Sequence, residues 1–337
     1  MNKKLSDREK GGPPENAPYG SSDRGNARMN RRGALKRMGS LMGAAALASS
    51  ALLPLTACKG KRRRTRLILY FTGTGNCLHV ARRLADADTE LLSIPQMVRE
   101  GRCIFEADEI GVVYPIYMHM PPHMVRRFIQ RAKLKAGYTF AVLTYGARKL
   151  SAAEIWDDIS RRAGNPFDYI ATLVMADNWL PSFDMDEQAG MDKNIPENLG
   201  RIAGDIAARK LWHEPVSDLE RRTHAEALQR FGLDPEVGFF PKSEQCFRID
   251  AAACVQCGAC VDLCPRGNYE MDGKGAAMTG DCELCLACIQ NCPQKAIRFR
   301  TDTGIPYLAR GEKNPAARYR NEHITLLDIQ RANSQKL

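Results

Sequence analysis

Eight cysteines near the C-terminal end constrain this chain more than any other feature. Cys254, Cys257, Cys260 and Cys264 form the pattern C-x₂-C-x₂-C-x₃-C, closed by Pro265. The pattern returns as Cys282, Cys285, Cys288 and Cys292, closed by Pro293. Such tight clustering points to metal ligation rather than to a scattered disulfide framework. Zinc sites show two C-x₂-C pairs rather than two complete runs of four, so zinc fits the spacing poorly.

The two runs resemble those of the bacterial two-cluster ferredoxins. The resemblance implies two [4Fe–4S] clusters. Three closely spaced cysteines reach one cube from a single winding loop, and the fourth crosses to the other cube. Cluster one is then expected on Cys254, Cys257, Cys260 and Cys292, and cluster two on Cys282, Cys285, Cys288 and Cys264. Gly258 permits close backbone approach to sulfur. The remaining cysteines of the body outside this pattern, apart from Cys77, are Cys103 and Cys246, both read as buried small apolar residues.

A second signal lies upstream. Arg66 to Phe71 is a short apolar run that reads as a buried strand. It enters the small-residue loop Thr72, Gly73, Thr74, Gly75, Asn76 and Cys77, followed by a helical pattern with Leu78, Val80, Ala81 and Leu84 apolar. The two glycines allow a tight turn, the hydroxyls and Asn76 supply side-chain donors, and the helix start supplies free N–H groups and a favourable dipole. This is a phosphate cradle. It lacks the lysine of a Walker loop and the spacing of a dinucleotide fingerprint. It resembles the T-x-T-G-N-T loop of flavodoxins, with Cys77 in place of the last threonine, and the resemblance implies FMN.

Further strands are expected at 90–94, 109–115, 138–145 and 169–175, alternating with helices at 122–134, 151–163 and 197–211. The alternation predicts an α/β fold: a flavodoxin-like doubly wound parallel sheet in order 2-1-3-4-5, followed by a small α+β ferredoxin domain. Ligands of such sheets bind outside the C-terminal strand ends. By resemblance, Pro115, Tyr117 and Met118 after the third strand, and Thr144, Tyr145 and Gly146 after the fourth, line the flavin; Asn178 and Trp179 reach the same rim. His119 and His123 are separated by Pro121 and Pro122, which argues against a helical metal pair.

The N-terminal part reads as an address. Residues 1–57 comprise a polar start, the pair Arg31 and Arg32, and an uncharged stretch after Arg37 ending in Leu55-Thr56-Ala57-Cys58. This resembles a Tat lipoprotein signal with lipidation at Cys58. Export with a lipid anchor in the membrane is the expectation. The alternative is an uncleaved N-terminal segment holding the protein on the cytoplasmic side, since the uncharged stretch is just long enough to span.

Residues 58–65 form a basic linker, 66–211 the flavodoxin-like domain, 212–244 a connecting segment with a helix at 219–231, and 245–300 the cluster domain. The tail, 301–337, is expected to pack back on a domain through a short helix capped by Thr325, with Leu326, Leu327 and Ile329 on one face. The net charge of +10 does not mark a nucleic-acid binder. Ten basic and four acidic residues precede Cys58. Lys59, Lys61, Arg62, Arg63, Arg64 and Arg66 add six positive charges, so the remainder is slightly acidic.

A flavodoxin-like domain followed by a two-cluster ferredoxin resembles the flavodoxin–ferredoxin fusion proteins of anaerobic bacteria, the EFR-type ferredoxins, over residues 66–332. The resemblance implies electron transfer between FMN, the clusters and redox protein partners. Two other readings stay open: a flavin-dependent reductase of a small oxidant such as a quinone or nitro compound, and a ferredoxin carrying an empty flavodoxin-like docking domain.

Overall fold

The computed structural model describes residues 65–336 except Phe239 and Lys274. The expectations for the twin-arginine segment and for Cys58 lie outside the described residues. No helix among the described residues is long and apolar enough to cross a membrane.

The first half alternates strand and helix. The elements are β1 (Arg66–Tyr70), α1 (Asn76–Leu84), β2 (Thr89–Ser93), α2 (Ile94–Arg99), β3 (Ile104–Glu106), β4 (Glu109–Pro115), α3 (His123–Arg131), β5 (Lys133–Lys135), β6 (Thr139–Tyr145), α4 (Ala152–Arg162), β7 (Tyr169–Val174), α5 (Met185–Ala189), α6 (Ile195–Ala207) and β8 (Trp212–His213). The main sheet runs β2-β1-β4-β6-β7-β8, parallel throughout. Counting its five long strands, this is the expected order 2-1-3-4-5 of a flavodoxin-like fold. The short β8 adds a sixth strand that the segment's composition did not announce. The central strands are apolar on both faces, as covered parallel strands must be: Ile68, Leu69, Phe140, Val142 and Ile170 are all fully buried.

Helix α3 stops at Arg131, before the expected end at 134, because Lys133–Lys135 pairs with β3 instead. Its buried face, Met124, Val125, Phe128 and Ile129, is the expected one. Helix α7 (Asp218–Phe231) starts on a Ser217–Glu220 capping box and ends at the left-handed Gly232.

The C-terminal half holds α8 (Ser243–Cys246), β9 (Phe247–Ile249), α9 (Ala259–Leu263), β10 (Tyr269–Met271), β11 (Ala276–Met278), α10 (Ala287–Asn291), β12 (Ile297–Phe299) and α11 (Leu326–Asn333). Two small antiparallel pairs, β9–β12 and β10–β11, flank the cysteine loops. This is the small α+β domain expected from the cysteine pattern. Thr325 caps α11 through a box with Asp328. Leu326, Ile329 and Ala332 face inward, but Leu327 is 51% exposed. Adjacent helical residues stand about 100° apart, so one face cannot hold both Leu326 and Leu327. Cys246 is fully buried, whereas Cys103 is exposed in the loop before β3, contrary to expectation. There its carbonyl accepts the Lys133 N–H at 2.7 Å.

Candidate cofactor and metal centres

The two cysteine loops adopt one backbone conformation twice. Gln256 and Gly258 are left-handed with φ of 56° and 72°, and Leu284 and Leu286 match them with 51° and 60°. These paired reversals turn the chain so that successive cysteines face inward, and each loop runs directly into a five-residue helix, α9 or α10. Each of the two hollows beside these loops is lined by cysteines from both runs. Cys254, Cys257, Cys260 and Cys292 border one hollow. Cys264, Cys282, Cys285 and Cys288 border another.

Amide groups are aimed at sulfur. Asn268 N–H donates to Cys264 Sγ at 3.4 Å, Leu284 N–H to Cys282 Sγ at 3.3 Å and Ala296 N–H to Cys292 Sγ at 3.3 Å. Burial pushes the Cys288 thiol up to about 12. A buried quartet of thiols gives up its protons only against cationic metal. No three His, Cys, Asp or Glu side chains among the described residues converge on one ion. The quartets stand apart round a hollow, which suits a cube bonded at its corners.

Above the C-terminal strand ends lies a cavity of about 580 Å³, within the range of small-molecule sites. The phosphate loop contributes Thr72, Gly73, Thr74, Asn76 and Cys77, the β4 loop Pro115, Tyr117 and Met118, and the β6 loop Thr144, Tyr145 and Gly146. Asn178 and Trp179 join the rim. Of the expected cofactor residues only Gly75 is absent from the lining. It has φ of 99° and faces the other way, where a side chain would meet Ile324 and Asn321.

Several side chains of the loop are committed to fixing its shape. Gly75 N–H donates to Thr72 Oγ1 at 3.1 Å, and Asn178 Nδ2 donates to Thr74 Oγ1 at 2.7 Å. Asn76 Oδ1 accepts from Tyr319 OH at 2.7 Å and from Asn321 Nδ2 at 3.2 Å. Cys77 Sγ lies 3.1 Å from Thr144 Oγ1, and burial raises its thiol to about 12. A neutral thiol in that place repels no phosphate. Asn76 and Cys77, the first residues of α1, line the same space, so these residues fit a phosphorylated cofactor.

The far wall comes from the cluster domain. Glu283, Leu284 and Leu286 line the cavity, and a side chain on Gly73 would stand 2.2 Å from the Cys285 carbonyl oxygen. Glu283 also accepts the Met124 N–H at 3.0 Å, capping α3 across the two halves. Burial lifts its carboxyl to about 7, against the pull of Met124 N–H and Arg266. Gln290, between Cys288 and Cys292, donates to the Asn178 carbonyl at 2.8 Å and accepts from Tyr319 N–H at 2.7 Å. Asn333 is fully buried and donates to both the Thr72 carbonyl at 3.0 Å and the Leu263 carbonyl at 3.1 Å.

Sequence reasoning missed these tail residues. Tyr319, Asn321 and Asn333 carry no local motif, and nothing short of the fold places them beside residues 72–76. Lys193 was missed for the same reason. Its ammonium joins the Gly146 and Met175 carbonyls at 3.3 and 2.8 Å to Gln188 Oε1 at 3.0 Å. Burial lowers the Lys193 amine and raises the neighbouring Asp177 carboxyl, each partly offset by the other's charge.

A flavodoxin-like α/β sheet and a paired-cysteine segment thus stand side by side in one chain. A family profile described as "4Fe-4S dicluster domain" matches residues 246–293. A ferredoxin of Methanothermococcus thermolithotrophicus is 34% identical over 47 residues, 13% of this chain and 78% of that protein. A ferredoxin of Pyrobaculum islandicum is 41% identical over 51 residues, 14% of this chain and 48% of that protein. The chain spans less than half the length of the first two curated relatives it matches. Among solved structures, a flavoprotein in complex with FMN from Lactobacillus acidophilus aligns at 14% identity and a TM-score of 0.25, over 33% of this chain and 93% of that one. Through its C-terminal segment the chain belongs to the 4Fe-4S dicluster ferredoxin family.

Proposed function

We propose that this protein relays electrons between FMN and two [4Fe–4S] clusters on behalf of redox protein partners. The observation that carries the reading is the contact of Gly73 with Cys285: the phosphate loop and a cysteine loop share one cavity wall with no side chain between them. When bound, FMN exchanges electrons in ones or twos and each cluster exchanges one. The residues of this chain supply the rest. Thr72, Thr74 and the start of α1 hold the phosphate end. Tyr117, Met118, Tyr145 and Gly146 border the ring end. Leu284 and Leu286 keep water from the wall between flavin and cluster, and the amides on Cys264, Cys282 and Cys292 tune the clusters.

The test is iron, sulfide and flavin analysis of the full chain purified anaerobically. The expected content is about eight iron, about eight sulfide and about one FMN per chain. Full clusters without FMN, even after FMN is added, would leave a ferredoxin with a flavodoxin-shaped docking domain. The reductase reading keeps one observation in its favour. The cavity continues past the cofactor loops to Thr223, Glu226, Ala227 and Arg230 of α7, which leaves room for a small oxidant.

For location, we take the chain to be exported and lipid-anchored, on the support of Arg31, Arg32 and Cys58 in the sequence. Replacing Cys58 by Ala should move the protein from the membrane pellet to the soluble fraction. Retention in the pellet would favour the uncleaved anchor.

A further inference from the structure

The two cysteine quartets sit in unlike surroundings. Cys264, Cys285 and Cys288 are only 8, 7 and 8% exposed, Cys282 is half-buried, and their hollow backs onto Gly73. In the other quartet Cys257 is exposed and Cys254, Cys260 and Cys292 are half-buried. Its hollow is bordered by Val255, 61% exposed, and Met271, 39% exposed, together with the exposed Gln256, Pro293 and Gln294, so two bare apolar side chains stand on a mixed rim beside an exposed cysteine. The loops thus share one conformation but differ in surroundings: one backs onto the phosphate loop, and the other carries an exposed cysteine.

We infer that the quartet of Cys254, Cys257, Cys260 and Cys292 is the port at which electrons enter or leave, and that the quartet of Cys264, Cys282, Cys285 and Cys288 is internal. This rests on the relay reading. The chemistry of the port sets its partner. A four-iron cluster passes single electrons, so the partner is a one-electron carrier protein, with a haem or iron–sulfur centre near an apolar edge that seats on Val255 and Met271. A hydride donor has no use for this face. Each passage oxidises the donor by one electron and reduces the acceptor by one, with no bond made or broken.

The experiment is stopped-flow electron exchange between the reduced holoprotein and cytochrome c as probe. Val255→Arg places a long charged side chain over the exposed edge, and Leu211→Arg puts the same charge at a remote site that is 76% exposed. We expect Val255→Arg to slow exchange by about tenfold, with iron, sulfide and FMN contents unchanged and Leu211→Arg behaving as the unaltered protein. Equal rates in the two variants would overturn the port. So would slowing by Arg230→Glu at the cavity mouth without slowing by Val255→Arg, since exchange would then run through the flavin cavity. Flavin content on the same samples separates the two ideas. Loaded clusters without FMN would sink the relay while the Val255→Arg rate still decides the port.

Discussion

Leu286 shows how a single residue is held between two costs. It takes the left-handed conformation that Gly258 takes in the twin loop, at φ of 60° against 72°. That conformation costs a side-chain-bearing residue about 1–2 kcal/mol. Yet Leu286 is only 2% exposed and fills the wall between the cysteine hollow and the cavity above the strand ends. Emptying a buried leucine site costs about 3–5 kcal/mol. Leu286→Gly should therefore destabilise the protein by about 1–4 kcal/mol despite relieving the backbone, as read by denaturant unfolding. A gain in stability would mean the wall is loosely packed. Titration gives a second residue-scale expectation. Burial holds both Cys77 and Cys246 up to about 12, against an ordinary thiol value of 9.0. Between those values the unfolded chain sheds protons that the native state keeps, so these two thiols make stability fall as pH rises from 9 toward 12. Replacing both by Ala should flatten that part of the stability-against-pH curve.

At the scale of elements, strands were legible because a parallel strand covered on both faces must be largely apolar, as β1, β4, β6 and β7 are. The cysteine loops were legible because their spacing is itself the ligand geometry. What did not show was the tail. Helix α11 is capped by Thr325 as its sequence says, but its destination depends on Asn333, a polar residue whose partners lie 261 and 70 positions away. No period or spacing encodes such a partner. The helix α7 over the cavity was visible as a helix and invisible as a lining element for the same reason. Asn333→Ala would leave the Thr72 and Leu263 carbonyls without their donor, at about 2–4 kcal/mol. Unfolding measurements should show that loss. Flavin should also dissociate faster from the variant while iron content holds; unchanged flavin release would show that the phosphate loop keeps its shape without the tail.

For the whole molecule, the described residues belong to one compact unit, although composition divides them into two parts. The halves are joined by buried polar contacts: Glu283 on α3, Gln290 on Asn178, and Asn333 on the phosphate loop. Their coupling is testable by metal removal. Because Cys285 stands against Gly73, anaerobic extraction of iron should release FMN in step with iron loss. The rise of free-flavin fluorescence against residual iron measures this, and flavin that stays bound to iron-free protein would show two independent sites.

The bond from Asn333 to Thr72 joins residues 261 positions apart, and this separation has a meaning in time. A ribosome adding roughly 5–20 residues per second finishes the phosphate loop roughly 13–50 s before it supplies the side chain that secures it. The nascent sheet can form early, but the cofactor pocket cannot close until the final turn of the last helix has emerged. A chain ended before Asn333 would therefore leave the phosphate loop without this bond, and a firmly shaped pocket becomes a record that translation has passed that residue.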